Sequence, residues 1–360
     1  MGERRQTTMA GSGLSRSVSY LDTRTYRHST SDYYSRIQGL RGLMNYGLSC
    51  CVNALLQSFS ATHELLELLN KWDTDDCGAL DKAHNVPLQL QRTLQTMQSQ
   101  GLQPAPHQDF LRCLDRNNIR LFKQHDADEV FLSILNFIQE QMSDKELAQE
   151  IRRLYMVKVE EYLQCLECRF IESATSYLLS LPLPLCEGNN TLEERFRDFF
   201  ELQELKNMDE CFCNRCGEKQ PARQGLRLIE LPPVVCIHLK RFRSTDGYTK
   251  KLHSKVSFPQ TIDFNKVLGP EQVSGNFLQS EWQYNLYAVI VHCGSAMSGH
   301  YTAYIKHSGD NEWYHADDSR VHKAKWEEVK YTFGGSRGDG TAYMLLYRRI
   351  EKEKELECSG

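Results

Sequence analysis

The most informative stretch of the sequence runs from Gly42 to Gln57 and reads GLMNYGLSCCVNALLQ. A loop containing Asn and Gly leads into an apolar pattern at helical spacing, formed by Val52, Leu55, Leu56 and Phe59. Cys50 therefore lies where a helix begins, and the free amides and the dipole of a helix N-terminus favour a thiolate there. A single cysteine beside a helix is more often a small buried hydrophobic residue. Cys50 therefore needs partners before it indicates a nucleophile.

The chain has 360 residues, with 43 Lys plus Arg against 47 Asp plus Glu and a formal net charge of −4. This balance argues against a general nucleic-acid binder, which is usually clearly basic. No apolar run is long enough to span a bilayer, the N-terminus lacks a signal-peptide core, and Gln6 stands where a myristoylation signal has Ser or Thr. The 13 cysteines of so large a chain indicate reduced thiols, metal ligands or catalysis. We expect a cytoplasmic protein, with the nucleus as a second compartment, and neither a nucleic-acid partner nor a membrane span.

The pattern changes along the chain. Residues 1–37 are rich in Ser, Thr, Arg and Tyr without apolar periodicity, which predicts a disordered arm; a transit peptide fits less well because helical amphipathicity is missing. From residue 39 to about 142 the apolar spacing is helical, and one helix opens at Asp126 as its N-cap. Near Tyr155 the period becomes the alternation of a strand. The end of the chain, 351–360, alternates Glu and Lys, which predicts a flexible, solvated tail.

Four further strand patterns follow in the second half of the chain, at 234–239, 284–291, 301–305 and 342–347. Helices first and strands later predict an α+β architecture. No internal repeat is visible.

Two Cys-x-x-Cys pairs lie in the strand-rich half, Cys165 with Cys168 and Cys213 with Cys216. Four thiolates in two such pairs complete a tetrahedral zinc site with no open position, so the zinc would be structural. Two unrelated pairs of buried cysteines are the weaker interpretation, and Cys211 is close enough to be an alternative ligand. The long gap between the pairs predicts that they tie together the ends of long strands.

A nucleophilic cysteine needs a base, and the base needs a third group that fixes its tautomer. His300 follows Gly299 at the start of a strand, and a paired-carboxylate turn with Asp317 and Asp318 follows on the next strand. A hairpin of this length lays an aspartate beside His300, although the pattern leaves His292 as a rival base. Most of the 12 histidines fit ordinary structural positions: a strand core for His238, a helix start for His125 and a solvated loop for His307.

Taken in order, these blocks resemble the ubiquitin-specific proteases, papain-like cysteine peptidases built as thumb, fingers and palm. The family's Cys box is matched by Gly42, Leu43, Asn45, Gly47, Cys50, Asn53, Leu56 and Gln57. Its Gln-Gln-Asp-Ala-x-Glu block is matched by Gln124, Asp126, Ala127 and Glu129. Its His box is matched by Tyr284, Ala288, His292, Gly294, Gly299, His300, Tyr301 and Tyr304, and its zinc site by both cysteine pairs.

The resemblance implies one catalytic domain over residues 38–350. Its parts would be a helical thumb at about 38–145, zinc-bearing β fingers at about 155–228 and a β-rich palm at about 229–350. This division adds detail to the α+β architecture that the pattern alone predicts.

The resemblance also assigns roles. It makes Cys50 the nucleophile, His300 the general base, Asp317 the acid that orients it and Asp318 a helper. Asn45, five residues before the nucleophile, would supply the oxyanion hole. One structural Zn²⁺ at the two cysteine pairs is the only cofactor implied, and none is catalytic.

Five positions depart from the family pattern: Leu48, Ser49, His125, Val130 and Ala316. None removes a catalytic group. Ala316 replaces an aromatic residue beside Asp317, so the support of that carboxylate must come from elsewhere.

The Cys50-Cys51 pair, the Gln124-His125-Asp126-Ala127 variant and the compact length resemble the branch that removes the interferon-stimulated ubiquitin-like modifier. This implies modifier conjugates as substrates, interferon-receptor signalling proteins as further partners and a dampening of interferon signalling. A general deubiquitinase and a non-catalytic scaffold in cytokine-receptor signalling are the alternatives; the retained Cys50, His300 and Asp317 argue against the scaffold. If the helix opening at Asp126 faces the modifier, Val130 and Phe131 could offer it an apolar patch; packing in the core of the thumb is the stronger interpretation for either residue alone.

Overall fold

A computed structural model describes residues 40–73, 81–101, 104–245, 247–274, 282–335 and 340–351. The arm expected at 1–37, with Gln6, lies outside the described residues, as does the tail beyond Glu351.

Nine α-helices occur in the described ranges. They are α1 Cys50–Ser60, α2 His63–Lys71, α3 Val86–Gln98, α4 Gln108–Arg116, α5 Ala127–Gln141, α6 Lys145–Tyr155, α7 Leu192–Phe199, α8 Phe264–Val267 and α9 Trp326–Tyr331. The first six precede every strand, and the first five of them lie in the region where the apolar spacing predicts helices. Among the described residues, none of the helices combines the length and hydropathy that crossing a bilayer requires.

The expected N-cap at Asp126 is confirmed. Its carboxylate accepts hydrogen bonds from the backbone N–H groups of Asp128 and Glu129, which satisfies two of the free donors at the start of α5. The same carboxylate accepts a hydrogen bond from the hydroxyl of Tyr343. Asp126 therefore caps a helix and also ties it to the sheet behind it.

The strand expected from Tyr155 is wrong at its start. Tyr155 ends α6, a helix not predicted from the sequence, and the strand begins two residues later at Val157. The signal was present, because Leu147, Ala148, Ile151, Leu154 and Tyr155 are buried at helical spacing and Asp144 caps the helix. In the sequence, the alternation of apolar and polar residues that belongs to the strand already begins at Tyr155, although Tyr155 is the last residue of the helix.

Val130 and Phe131 do not form the apolar patch that was one interpretation of them; they pack in the core, the interpretation favoured for either residue alone. Both residues lie on α5, and they are only 2% and 1% exposed. The Phe131 ring stacks on Phe59 at 5.7 Å and meets Tyr155 edge-on at 5.3 Å. These residues therefore stabilise the helical core and offer no surface to a partner.

In the part of the chain that the structure describes, eighteen strands follow the first six helices, in agreement with the predicted α+β architecture. They are β1 Val157–Cys165, β2 Ile171–Leu178, β3 Leu181–Pro184, β4 Asn189–Thr191, β5 Gln203–Leu205, β6 Cys211–Cys213, β7 Glu218–Gln220, β8 Ala222–Glu230, β9 Val234–Lys240, β10 Phe242–Thr245, β11 Tyr248–Lys251, β12 Lys255–Ser257, β13 Thr261–Asp263, β14 Gln283–Gly294, β15 Gly299–Lys306, β16 Trp313–Asp317, β17 Arg320–Ala324 and β18 Thr341–Arg349.

Two larger sheets organise these strands. The main sheet has eight strands in the order β17-β16-β15-β14-β18-β9-β3, with β13 also paired to β14. All its pairs are antiparallel except β3 with β9. A second, antiparallel sheet has the order β2-β1-β8-β5, and the remaining strands form two-stranded ribbons.

The main sheet is buried on both faces. Along β14, Ala288 and Ile290 pack into the core shared with the helices, whereas Val289 and Val291 pack into a second core on the other side. This explains the unbroken apolar run of β14, since a strand covered on both faces has no polar side to show. Because α1 packs against β15, the start of that helix meets the start of the strand that carries His300.

Candidate active site and cysteine cluster

Cys50 is the first residue of α1 and is 5% exposed. Its neighbour Cys51 is also buried, but desolvation raises the pKa of the Cys51 thiol well above its ordinary value, and the adjacent Cys50 raises it further. Cys51 is therefore a neutral thiol of the core. Cys50 differs because its side chain makes a hydrogen bond with His300.

His300 lies near the start of β15, between Cys50 and a carboxylate. Its Nε2 is 2.7 Å from Oδ1 of Asp317, at the end of the adjacent strand β16, and 4.0 Å from Oδ2 of Asp318. This leaves Nδ1 for Cys50. The hydrogen bond with Cys50, and then the one with Asp317, raise the pKa of His300 to about 9 against the opposing effect of burial. The site therefore favours the protonated, imidazolium form of His300.

Asp318 contacts the loop before Cys50 rather than His300. Its Oδ2 accepts a 2.9 Å hydrogen bond from the amide of Asn45, and its Oδ1 accepts a 2.7 Å bond from the amide of Asn53 on α1. Oδ1 of Asn45 in turn accepts from the backbone N–H of Ser49 at 3.2 Å. Asn45 is therefore held at both ends of its side chain, five residues before Cys50.

The backbone around Asp318 joins the same loop. Asp318 has a φ of 50°, and its carbonyl accepts a 2.8 Å hydrogen bond from the N–H of Leu43. A Cβ at Gly42 would collide with the backbone of Ser319. Only glycine fits at that point, which gives a physical reason for the glycine that opens the Cys box.

The turn before Cys50 is unusual because two consecutive residues are left-handed. Gly47 has a φ of 69° and Leu48 a φ of 64°. This conformation is ordinary for Gly and tolerated by Asn, but a leucine pays a steric cost. The Asn or Gln that the resemblance leads one to expect at Leu48 is therefore replaced here by a strained, 43% exposed leucine.

Asp317 keeps its position without the aromatic neighbour that Ala316 replaces. Ala316 is 2% exposed and pairs with Ala303 on β15 and with Val321 on β17. The small side chain fills its place between paired strands, and Asp317 is supported by its own pairing with Arg320.

The four cysteines of the two pairs come together at one end of the four-stranded sheet. Their Sγ atoms all lie within 4.8 Å of one another, with 4.0 Å between Cys165 and Cys216 and 3.6 Å between Cys168 and Cys213. A tetrahedron of thiolates at Zn–S distances of about 2.3 Å has edges of about 3.8 Å, so the arrangement fits a zinc ion. Cys211 lies on β6 outside this group, and all five cysteines are free thiols.

The family model for ubiquitin carboxyl-terminal hydrolases matches residues 41–347, which include every residue of the site and of the cysteine cluster. The chain belongs to the ubiquitin carboxyl-terminal hydrolase family. It is a cysteine-type hydrolase.

Several relatives match most of the hydrolase. Human Ubl carboxyl-terminal hydrolase 18 is 35% identical over 320 residues, 87% of this chain and 86% of the relative. The mouse protein of the same name is 38% identical over 318 residues, 86% of each chain. Ubiquitin carboxyl-terminal hydrolase 47 of Xenopus laevis is 27% identical over 406 residues, covering 93% of this chain and 30% of the relative.

The rival histidine of the hydrolase, His292, lies on β14 and is only 2% exposed. Burial first, and then the nearby charge of Lys251, lower the pKa of His292 to about 3. The ring lies directly beneath Gly299, where a Cβ would collide with it. His292 is thus a neutral residue of the sheet, and its place explains why Gly299 precedes His300.

Three more histidines, for which the sequence predicts ordinary structural positions, lie outside the candidate active site. His238 is buried and bonds Asp128 at 3.0 Å, so it is a core residue as expected. His125 lies just before α5 and bonds the carbonyl of Arg120 at 2.8 Å. His307 lies in the loop after β15, as expected, where its side chain is 17% exposed and bonds Asp310 at 3.1 Å.

Two residues of the site network were assigned no role from the sequence. His107 precedes α4, and its Nε2 lies 2.9 Å from Oδ1 of Asn53; burial lowers its pKa. Asn53 therefore connects His107 to Asp318. Asn53 had a signal, since a polar residue one turn after Cys50 interrupts the apolar face of α1, whereas nothing in the sequence around His107 indicates its partner.

Proposed function

We propose that this hydrolase is an isopeptidase that cleaves after the C-terminal Gly-Gly of a ubiquitin-like modifier on conjugated proteins. Cys50 is the nucleophile, His300 the general base and acid, and Asp317 the residue that orients His300. The observation that carries the proposal is the position of His300, whose Nε2 lies 2.7 Å from Asp317 and whose hydrogen bond with Cys50 raises its pKa.

In the first half-reaction the Cys50 thiolate attacks the carbonyl carbon of the terminal glycine, and the carbonyl electrons move to the oxygen. The tetrahedral intermediate collapses as the C–N bond breaks and the His300 imidazolium gives its proton to the leaving amine of the substrate lysine. In the second half-reaction neutral His300 takes a proton from water, the oxygen attacks the thioester, and Cys50 leaves as a thiolate.

Asn45 is suited to stabilise the oxyanion. A side-chain amide has two N–H donors, and Asp318 accepts one of them at 2.9 Å, which leaves the second for the substrate. Together with a backbone N–H near Cys50 it would bind the charge that develops on the carbonyl oxygen. Asp318 acts as the helper that holds this amide.

The interferon-stimulated ubiquitin-like modifier is the favoured substrate, and dampening of interferon signalling is the role that follows. The support is the greater identity with relatives named Ubl carboxyl-terminal hydrolase 18, at 35–38%, than with those named ubiquitin carboxyl-terminal hydrolase 47, at 26–28%. A general deubiquitinase is the alternative activity. Each contact that separates the two modifiers needs to contribute only about 1–3 kcal/mol.

The test compares the two modifiers, each carrying the same C-terminal reporter or electrophile, at equal concentrations of enzyme. The interferon-stimulated modifier should react faster than ubiquitin; equal rates, or faster reaction with ubiquitin, would support the general deubiquitinase. Cys50→Ala should abolish cleavage and retain modifier binding, whereas Cys51→Ala should retain turnover. If neither modifier bound to the wild-type protein or to either variant, that result would contradict the proposed function.

We also propose one structural Zn²⁺ at Cys165, Cys168, Cys213 and Cys216. A bound zinc would hold the ends of the β1 and β6 segments together and would contribute folding free energy, with no part in the chemistry. The cluster of free thiols supports this proposal and is in keeping with a reducing compartment, the cytoplasm and secondarily the nucleus.

The domain division follows the same proposal: a thumb over about 38–145, extended by α6 to Tyr155, fingers at about 155–228 and a palm at about 229–350. Interferon-receptor signalling proteins are proposed as further partners on resemblance alone. Retention of Cys50, His300 and Asp317 supports an enzyme over a scaffold.

A further inference from the structure

Three residues cross from the loop before Cys50 to the strand that carries His300. We call this segment, Phe122–Gln124, the bridge segment. It has no helix or strand conformation and lies between α4 and α5. Its first residue contacts the Cys50 loop and its last contacts the His300 strand.

At the first end, the N–H of Phe122 donates a 3.1 Å hydrogen bond to the carbonyl of Gly47, three residues before Cys50. The Phe122 ring lies over Gly47 so closely that a Cβ at Gly47 would collide with it. Phe122 has a φ of 64°, an unfavourable backbone conformation for an aromatic residue. Because the residue is 76% exposed, burial of its side chain does not explain this conformation. Strain at an exposed non-glycine residue points to a functional constraint.

At the other end, the side-chain amide of Gln124 donates a 3.0 Å hydrogen bond to the carbonyl of Gly299, the residue before His300. Gly299 is confined from another side by the ring of His292. The backbone that leads into His300 is therefore fixed between a buried ring and the Gln124 amide.

The bridge segment is anchored independently on both flanks. Before it, the N–H of Leu121 donates a 3.0 Å bond to the carboxylate of Asp115 at the end of α4. After it, Asp126 caps α5 and accepts from Tyr343 on β18. The segment is thus a fixed connection between the helical region and the main sheet.

This placement matters because Cys50 and His300 come from different parts of the fold. Cys50 starts a helix, whereas His300 lies on a strand far away in the sequence, so the local chain does not fix the distance between them. A hydrogen bond between such groups tolerates errors of only about 0.5 Å before reactivity falls. A connection that touches both backbones within three residues of each group limits that error.

We propose that Phe122 and Gln124 are positioning residues that set the Cys50 loop against the His300 strand and so maintain the contact between Cys50 and His300. The inference rests on the proposed function for its consequence in turnover. Neither residue touches the reacting atoms; each acts through the backbone of Gly47 or Gly299.

The experiment replaces Gln124 by Met, which keeps the length of the side chain and removes the donor. The matched control is Gln98→Met, because Gln98 is another half-buried residue whose amide donates to a backbone carbonyl, that of Ser60 at 3.1 Å. Phe122→Ala removes the ring, and Tyr331→Ala, at a residue 77% exposed, is its control.

The first readout is the rate at which iodoacetamide alkylates Cys50 between pH 5 and 10, followed by mass spectrometry of the Cys50 peptide. Gln124→Met and Phe122→Ala should lower the alkylation rate at pH 6–7 about tenfold and move the rise of the profile toward the value of a free thiol. The second readout is cleavage of the modifier, in which kcat should fall about tenfold and KM should change by less than about twofold. In the double variant the alkylation rate and kcat should fall by about as much as in the more affected single variant, because both residues maintain one geometry.

A merely structural role would lower Tm and leave the pH profile of alkylation unchanged, and that result would overturn the proposal. An equal loss in Gln98→Met or Tyr331→Ala would overturn it as well. Alkylation needs no modifier, so the proposal is tested even if the substrate is wrong. Wild-type protein with a shifted alkylation profile and no modifier cleavage would contradict the proposed function alone.

Discussion

The side chains of Asn45 and Asp318 are joined by a 2.9 Å hydrogen bond, whereas Nε2 of His300 lies 4.0 Å from the same carboxylate and 2.7 Å from Asp317. The two adjacent aspartates therefore serve different partners. In the proposed mechanism Asp317 acts on the base, His300, and Asp318 acts on the loop that holds the Asn45 amide for the oxyanion.

Replacing each aspartate by Ala should separate these roles. Asp318→Ala should lower kcat about 100-fold with little change in KM, because a misplaced oxyanion donor costs about that much. Asp317→Ala should cost more, since the orientation of His300 is lost. Asp310→Ala is the control, because Asp310 pairs with another histidine, His307, at the far end of β15. A larger loss at Asp318 than at Asp317 would reverse the assignment.

The pH dependence follows from His300, whose pKa is raised to about 9 from an ordinary 6.5, first by its bond with Cys50 and then by Asp317. A raised pKa means that the protonated form is stabilised by folding. The contribution to stability is therefore fully present below pH 6.5 and is lost as pH rises through about 9. The alkaline limb of kcat/KM should fall near pH 9 in wild type and at lower pH in Asp317→Ala, measured between pH 5 and 10. An identical limb in both proteins would exclude Asp317 as a cause.

Removal of the zinc should destabilise the protein. Cys168→Ser should lower the free energy of unfolding by at least about 2 kcal/mol, because structural zinc contributes roughly 10 kcal/mol or more in small domains. Elemental analysis should find one zinc per chain in wild type and less in this variant. Cys211→Ser is the control and should retain both zinc and stability; the opposite order would make Cys211 a ligand.

Leu48→Asn should stabilise the protein by about 0.5–1 kcal/mol, because Asn tolerates a positive φ that costs other residues about 1–2 kcal/mol. Leu48 is 43% exposed, so its removal forfeits little burial. The measurement is urea unfolding, with Leu48→Ala as the control that loses the side chain and keeps the strain. If Ala stabilised as much as Asn, the left-handed conformation would not be the cause.

The first five helices and the strands β9, β14, β15 and β18 were predictable because each has its own apolar period. Cys50 and Asp126 stand at helix starts, and the apolar run of β14 is long enough to recognise alone. Tyr155 was misplaced because a helix end and a strand start overlap there, and both contribute apolar residues to one pattern.

The contacts between distant segments were not predictable from any local pattern. Asn53 meets Asp318 across 265 residues, and Gln124 meets Gly299 across 175. His107 received no role at all. Likewise, periodicity places Val130 and Phe131 on the apolar side of α5 but does not show what covers that side, so a surface patch and core packing both remained open.

The two cores on either side of the main sheet also determine which parts of the protein unfold first and which unfold last. Amide hydrogens of β14 and β18 have hydrogen-bonding strands on both sides and apolar layers above and below. We therefore expect them to exchange with deuterium only through global unfolding. The β6–β7 ribbon has a single partner strand and an exposed Phe212, so its amides should exchange through local opening. β14, the strand that precedes the His300 strand β15, thus belongs to the last part of the protein to lose its structure.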